Sequence, residues 1–239
     1  MSTRREFIKS TAIAATAIAV SPLMETACAK TTDKKMKVLM INGSPHQNGN
    51  TATALQEVAA QLKEHGIDSE IVWIGVQPVH GCIACGRCNA EPGKCVFDDD
   101  PCNEISLKMK ESDALIVGSP VYYGQPNGAV LAIIQRLFYS SGAAVQGKPA
   151  AAFAVCRRGG ATASFQTLNM PFMMMNMPVV TSQYWNIGYG ASQGQIAEDA
   201  EGMQTMRTLA NNMAALLKAT GGKPMPGSDE RHQFTNFIR

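Results

Sequence analysis

The chain has 239 residues, room for one domain of about 150–200 residues plus a leader or tail. With 17% charged and 45% apolar residues it can bury a real core, which excludes disorder by composition. No run approaches the roughly 18 apolar residues of a full membrane span. Lys+Arg 21 against Asp+Glu 19 leaves +2 with no basic stripe, which argues against nucleic acid as a partner. Seven Cys and 14 Met are the unusual counts, and the cysteines cluster.

Residues 1–29 read as a targeting segment. Arg4, Arg5 and Lys9 precede an apolar stretch over 11–20 that is too short to span a bilayer. Ala27-Cys28-Ala29 has the A-x-A form of a cleavage site, which would start the mature chain near Lys30. The string Thr3-Arg4-Arg5-Glu6-Phe7-Ile8-Lys9 resembles a twin-arginine export signal. That resemblance implies export of a folded, cofactor-loaded protein to a periplasmic or other extracytoplasmic space. An ordinary secretion signal with two chance arginines is the alternative. Cys28 makes a poor lipidation site, because Glu25 stands where Leu is wanted.

In chain order, the apolar run over 37–41 has the length of a buried strand, and 42–50 is a Gly/Ser/Pro/Asn loop. Leu55, Val58, Ala59 and Leu62 predict an amphipathic helix over 51–65, stopped by Gly66. A second strand falls at 71–74, followed by a cysteine segment over 80–100. Asp100-Pro101 opens a helix to Glu111. Residues 113–119 form a third strand, 127–139 a helix, 150–156 a fourth strand and 179–181 a short fifth. The last helix covers 199–219, with Met206, Leu209, Met213, Leu216 and Leu217 on one face, and 223–239 read as an irregular tail. Strands alternating with helices predict an α/β domain over 30–222. Its expected form is a flavodoxin-like, doubly wound, five-stranded parallel sheet with helices on both faces. Such sheets bind ligands beyond the carboxyl ends of their strands. The loops after strands one, three and four are therefore the expected sites.

The first of these runs Gly43-Ser44-Pro45-His46-Gln47-Asn48-Gly49-Asn50-Thr51. Small residues let backbone N–H groups converge at a helix N-terminus, which suits a phosphate monoester. The absence of G-x-G-x-x-G and of a P-loop lysine argues against a nucleoside triphosphate. A plain turn capped at Asn50 would use the same residues. After strand three come Pro120, Val121, Tyr122, Tyr123 and Gly124, whose backbone donors and rings suit a flat heteroaromatic ligand. After strand four come Arg157, Arg158, Gly159 and Gly160, which offer close backbone approach and a cation for a flavin pyrimidine edge. Tyrosines packed under a loop and a solvated arginine pair are the plain alternatives.

Together GSPHQNGNT, SPVYYG and RRGG resemble the NADPH-dependent FMN reductase branch of the flavodoxin-like superfamily, over residues 36–219. The resemblance implies FMN. Its phosphate would lie on Ser44, Pro45, His46, Asn48, Gly49, Asn50 and Thr51. Its ring would lie against Pro120, Val121, Tyr122, Tyr123 and Gly124, with Arg157, Gly159 and Gly160 opposite. Where relatives often carry a basic residue after the proline, this chain has His46 and Gln47.

Cys82, Cys85 and Cys88 have the C-x2-C-x2-C spacing by which one loop wraps an iron–sulfur cube, and Cys95 follows. Structural or redox thiols, disulfides and zinc are the alternatives. GCIACGRCNAEPGKCVFDDD and the later AEDAEGMQT resemble iron–sulfur flavoproteins. That resemblance implies Cys82, Cys85, Cys88 and Cys95 as ligands of a [4Fe–4S] cluster. It also implies a homo-oligomer, dimer or tetramer, with cluster and flavin close across an interface. Cys102 and Cys156 read as core positions, Asp98-Asp99-Asp100 as a helix cap with solvated acids, and the methionines at 173–177 as core or interface.

The expected function is an FMN-dependent oxidoreductase passing electrons between a donor, FMN and a cluster, with the chemistry on the cofactor rather than on a catalytic side chain. The alternatives are an NAD(P)H-dependent FMN or quinone-type reductase without a cluster, and a one-electron carrier. The donor would be NAD(P)H or a protein, and the acceptor a small molecule or a protein. An exported chain would lack direct access to cytoplasmic NAD(P)H.

Overall fold

Three runs of apolar residues, each buried on both faces, make the centre of the protein. They are β1 (Lys37–Asn42), β3 (Ala114–Tyr122) and β5 (Ala150–Cys156). A strand covered on both sides needs no polar alternation, and these have almost none. The computed structural model describes residues 35–231 together with 233 and 235. The leader expected over 1–29 and residues 232, 234 and 236–239 of the tail lie outside the described residues.

In chain order the other elements are α1 (Asn50–Glu64), β2 (Asp68–Trp73), α2 (Arg87–Ala90), α3 (Cys102–Lys110), β4 (Gln125–Pro126), α4 (Gly128–Ser140), α5 (Gly142–Val145), α6 (Ala161–Met174), β6 (Ile187–Tyr189) and α7 (Ala200–Thr220). The strand order is β2-β1-β3-β5-β6, all parallel, with Leu39 opposite Leu115 and Leu115 opposite Ala150. This is the doubly wound flavodoxin order. The sheet has six strands rather than the expected five, because two-residue β4 folds back antiparallel on β3. Tyr123 and Gly124 between them both have positive φ, the pattern of a tight type I′ hairpin turn.

Alternate residues of each strand feed two cores. Val38, Met40, Ile116 and Phe153 face α1 and α7, while Leu39, Ile41, Leu115 and Val117 face α3, α4 and α6. Each fully buried Leu, Ile or Phe among them contributes roughly 1.5–3 kcal/mol. Asp199 caps α7 by accepting from the Gly202 N–H at 2.9 Å, and Gly221 ends it in a left-handed conformation.

The fifth parallel strand is misplaced in the sequence reading. Val179 makes a single bridge to Ala150, and the strand that pairs with Cys156 is Ile187–Tyr189. Buried Asn186 explains the detour. Its side chain donates to the carbonyls of Ala152 at 3.1 Å and Val180 at 3.4 Å, standing in for ladder bonds while the chain loops out. Helix α6 was also not anticipated. It contains Pro171 and leaves Met173 and Met174 exposed while Met177 is buried, so only part of the methionine run is core.

At Gly118 the central strand leaves no room for a side chain. A methyl there would lie 2.4 Å from Cζ of Phe153 and 2.9 Å from Cγ2 of Thr51, both buried. Gly118→Ala is expected to cost about 1–3 kcal/mol through overpacking. Urea unfolding reads this as a lower midpoint at unchanged slope.

Candidate functional site

The loop after β1 is shaped by its own side chains. Asn42 accepts the Ser44 N–H at 3.1 Å and donates to the Gln47 carbonyl at 3.2 Å, while Ser44 Oγ accepts the His46 N–H at 3.1 Å. Trp73, at the end of β2, donates its indole N–H to the Ser44 carbonyl at 2.7 Å. The next loop is tied to this one. Gly43 donates to the Gly118 carbonyl at 2.8 Å, and Asn127, which caps α4, donates to the Gly43 carbonyl at 2.7 Å.

Helix α1 begins at this loop with no side-chain cap and no acid in its first turn. Its first amides are therefore available to an anion, and the helix dipole favours one there. The Asn50 side chain is otherwise engaged: it donates to the Ser192 carbonyl at 2.9 Å and accepts the Ile196 N–H at 3.2 Å, pinning the loop after β6. What Asn50 offers an anion is its backbone.

These loops enclose a cavity of about 670 Å³ at the carboxyl edge of the sheet, within the range of cofactor sites. Ser44, Pro45, His46, Asn48, Gly49, Asn50 and Thr51 all line it, as do Pro120, Val121, Tyr122 and Arg157. Tyr123, Gly124, Gly159 and Gly160 do not. Tyr123 stands in solvent. Gly160 packs on Gly124 so closely that a methyl on it would lie 2.6 Å from the Gly124 Cα, which joins the loops after β3 and β5 behind the cavity wall. Trp73, Cys156, Gly190, Ala191 and Gln193 line the cavity without having been anticipated. Burial pushes the Tyr122 phenol and the Cys156 thiol above their ordinary values, the latter against backbone N–H bonds from Ala161 and Arg158. Both are neutral at pH 7. An uncapped helix start, small-residue walls and one cationic edge fit a phosphorylated aromatic group such as FMN.

A second cavity, of about 370 Å³, is lined by Cys82, Cys85, Cys88 and Cys95 together. All four are free thiols, Cys82 and Cys85 exposed and the other two partly buried. Ala84 and Gly86, on either side of Cys85, have φ of 53° and 71°, which curls the loop around that residue. Among the described residues no three His, Cys, Asp or Glu side chains converge as a single ion would require. A cubane makes a different demand, since it holds its thiolates apart around its own irons and sulfides. Four thiols around one cavity meet that demand in kind and number.

Beneath this cavity lies a group absent from the sequence reading. Arg136 is the one charged residue of α4 and its side chain is 1% exposed. It is ion-paired with Asp100, whose side chain is 0% exposed, and its guanidinium lies 5.1 Å from the centre of the Phe97 ring. Its Nε donates to Cys95 Sγ at 3.2 Å. Burial opposes its charge, but the bonds to Asp100 and Cys95 prevail and hold it above ordinary arginine. Asp100 accepts the Cys102 N–H at 3.0 Å at the start of α3, as expected of a cap, and its other oxygen is buried against Arg136. Cys102, on the first turn of α3, is buried and pushed up to about 12, mainly by that burial.

Sheet order, crossovers and cavity define a flavodoxin-like protein. More specifically, residues 36–192 match the NADPH-dependent FMN reductase family, and the chain belongs to it. It is a flavin-dependent oxidoreductase with FMN as its cofactor. It is 34% identical over 191 residues to an iron–sulfur flavoprotein of Methanocaldococcus jannaschii, covering 77% of this chain and 98% of that one. It is 31% identical over 187 residues to an iron–sulfur flavoprotein of Methanosarcina thermophila, covering 77% and 96%. In fold it matches a flavodoxin from the domain Archaea with a TM-score of 0.52 at 17% identity, over 77% of this chain and 99% of that one.

The two thiol environments predict different reactivity. In the folded, cofactor-free protein at pH 8, an alkylating reagent is expected to modify exposed Cys82 and Cys85 and to spare Cys102 and Cys156 until denaturant is added. Peptide mass spectrometry reads the order. Early labelling of Cys102 would contradict its burial.

Proposed function

We propose that the protein passes electrons between a donor, FMN in the cavity at the start of α1, and a [4Fe–4S] cluster held by Cys82, Cys85, Cys88 and Cys95. The observation that carries this reading is the meeting of all four thiols, unpaired, around one cavity. The names of the full-length relatives support it. FMN when bound exchanges electrons singly or in pairs, and a cubane exchanges them singly.

The chain's own residues bind and orient. The amides at the start of α1 and the Ser44–Thr51 loop would receive the phosphate. The loop over 120–122 would hold one side of the ring, and Arg157 would place positive charge at its edge, favouring the reduced anion. The family description supports NADPH as donor. The leader reading supports export by the twin-arginine route and, with it, a protein donor on the far side of the membrane. A homo-oligomer, and a small-molecule or protein acceptor, complete the proposal.

A second reading keeps FMN and drops the cluster, with Cys82 and Cys85 as redox thiols; their exposure favours it. One experiment separates the two. The chain lacking residues 1–29 is purified without oxygen, and its absorption spectrum, iron and acid-labile sulfide are measured. The cluster reading expects flavin bands on a broad sulfur-to-iron shoulder, with about four irons and four sulfides per chain. Flavin bands without iron would overturn it and leave the thiol reading standing.

A further inference from the structure

A buried ion pair is a poor way to fill space, since apolar residues of similar volume often stabilise a fold as well or better. The Asp100–Arg136 pair lies away from the flavin cavity, and its contacts show what it holds. Besides Asp100, the Arg136 guanidinium donates to the His80 carbonyl at 3.2 Å, the Phe97 carbonyl at 3.3 Å and Cys95 Sγ at 3.2 Å. All three belong to the segment that carries the cysteines, so that segment is wound around this one side chain. Asn103, on α3, grips Cys95 from its backbone. Its amide accepts the Cys95 N–H at 2.7 Å and donates to the Cys95 carbonyl at 3.1 Å. Asp100 also accepts the Cys102 N–H at 3.0 Å, fixing the carboxylate at the start of α3. Among the described residues, Cys95 is the one of the four cysteines whose sulfur receives a hydrogen bond. Cys82 and Cys85 stand exposed on the curled loop opposite.

We propose that Arg136, oriented by Asp100, is a positioning residue for Cys95. It fixes that sulfur in advance as the anchor on which the cluster assembles, and its charge raises the cluster's reduction potential. The proposal rests on the cluster reading above. Two physical effects are separable here. The Nε–H bond holds the sulfur in place through a rigid planar fork, whereas the positive charge acts through a low-dielectric interior and favours the more negative, reduced state. Lysine keeps the charge but lacks the fork.

The test uses the wild-type chain, Arg136→Lys and Arg136→Met, each carrying FMN and reconstituted anaerobically with iron and sulfide. Iron and sulfide per chain, iron loss to a chelator, and the cluster's reduction potential are measured; FMN content and melting temperature report on folding. Both variants are expected to hold iron about 10- to 100-fold more weakly, the usual effect of removing an outer partner of a metal ligand. The potential of Arg136→Met should move negative, and that of Arg136→Lys should stay nearer wild type. If both variants keep wild-type iron retention and potential, the proposal is overturned. Weakened retention at an unchanged potential in Arg136→Met overturns the role of the charge. If Arg136→Met does not fold, Arg136→Lys decides, and wild-type retention there overturns the positioning role. A wild-type chain that takes up no iron overturns the cluster reading itself, an outcome distinct from all of these.

Discussion

Strands that run parallel deliver all their carboxyl ends to one edge, and the loops that follow them have nowhere else to meet. Here that edge gathers the loops after β1, β3, β5 and β6 and the start of α1. The hydrogen bonds from Gly43 to Gly118 and from Asn127 to Gly43 lock two of those loops in register, and Asn50 reaches across to hold the last. The cavity is thus a consequence of strand direction, shaped by short polar side chains acting on backbone. It combines the uncapped start of α1 with the side chains of Trp73, Tyr122 and Arg157.

The cysteine segment obeys a different constraint. It is a long excursion between β2 and α3 with little secondary structure of its own, so it has few ladder bonds to hold it. A charged side chain takes their place. The guanidinium of Arg136 donates to the carbonyls of His80 and Phe97, and Asp100 neutralises it where water cannot. Removing either partner would leave the other charge buried alone, at a cost of about 3–5 kcal/mol. Cys95 and the ion pair are therefore linked, at a place separate from the cavity at the start of α1.

Much of this was legible in the chain. β1, β3 and β5 announce themselves as apolar runs, α1 and α7 as amphipathic helices, and the thiols by spacing alone. What escaped did so for physical reasons. β6 is three residues long, and the loop that leads into it is held by one asparagine side chain. α6 hides behind an internal proline and a methionine run. Arg136 meets Cys95, Phe97 and Asp100 across some 36 to 41 positions of chain, so no local pattern reports it. Its one visible signal was a lone charge inside an apolar helix. Trp73, Gly190 and Gln193 join the flavin cavity only because β2 and β6 flank it in space.

The most direct measurement is anomalous diffraction at the iron edge from anaerobically grown crystals of the cofactor-loaded protein. The account predicts one iron-cluster peak per chain in the cavity above Arg136, bonded to the sulfurs of Cys82, Cys85, Cys88 and Cys95, and flavin in the separate cavity at the start of α1. No iron peak there, with the flavin in place and the thiols bare or joined in disulfides, would contradict it.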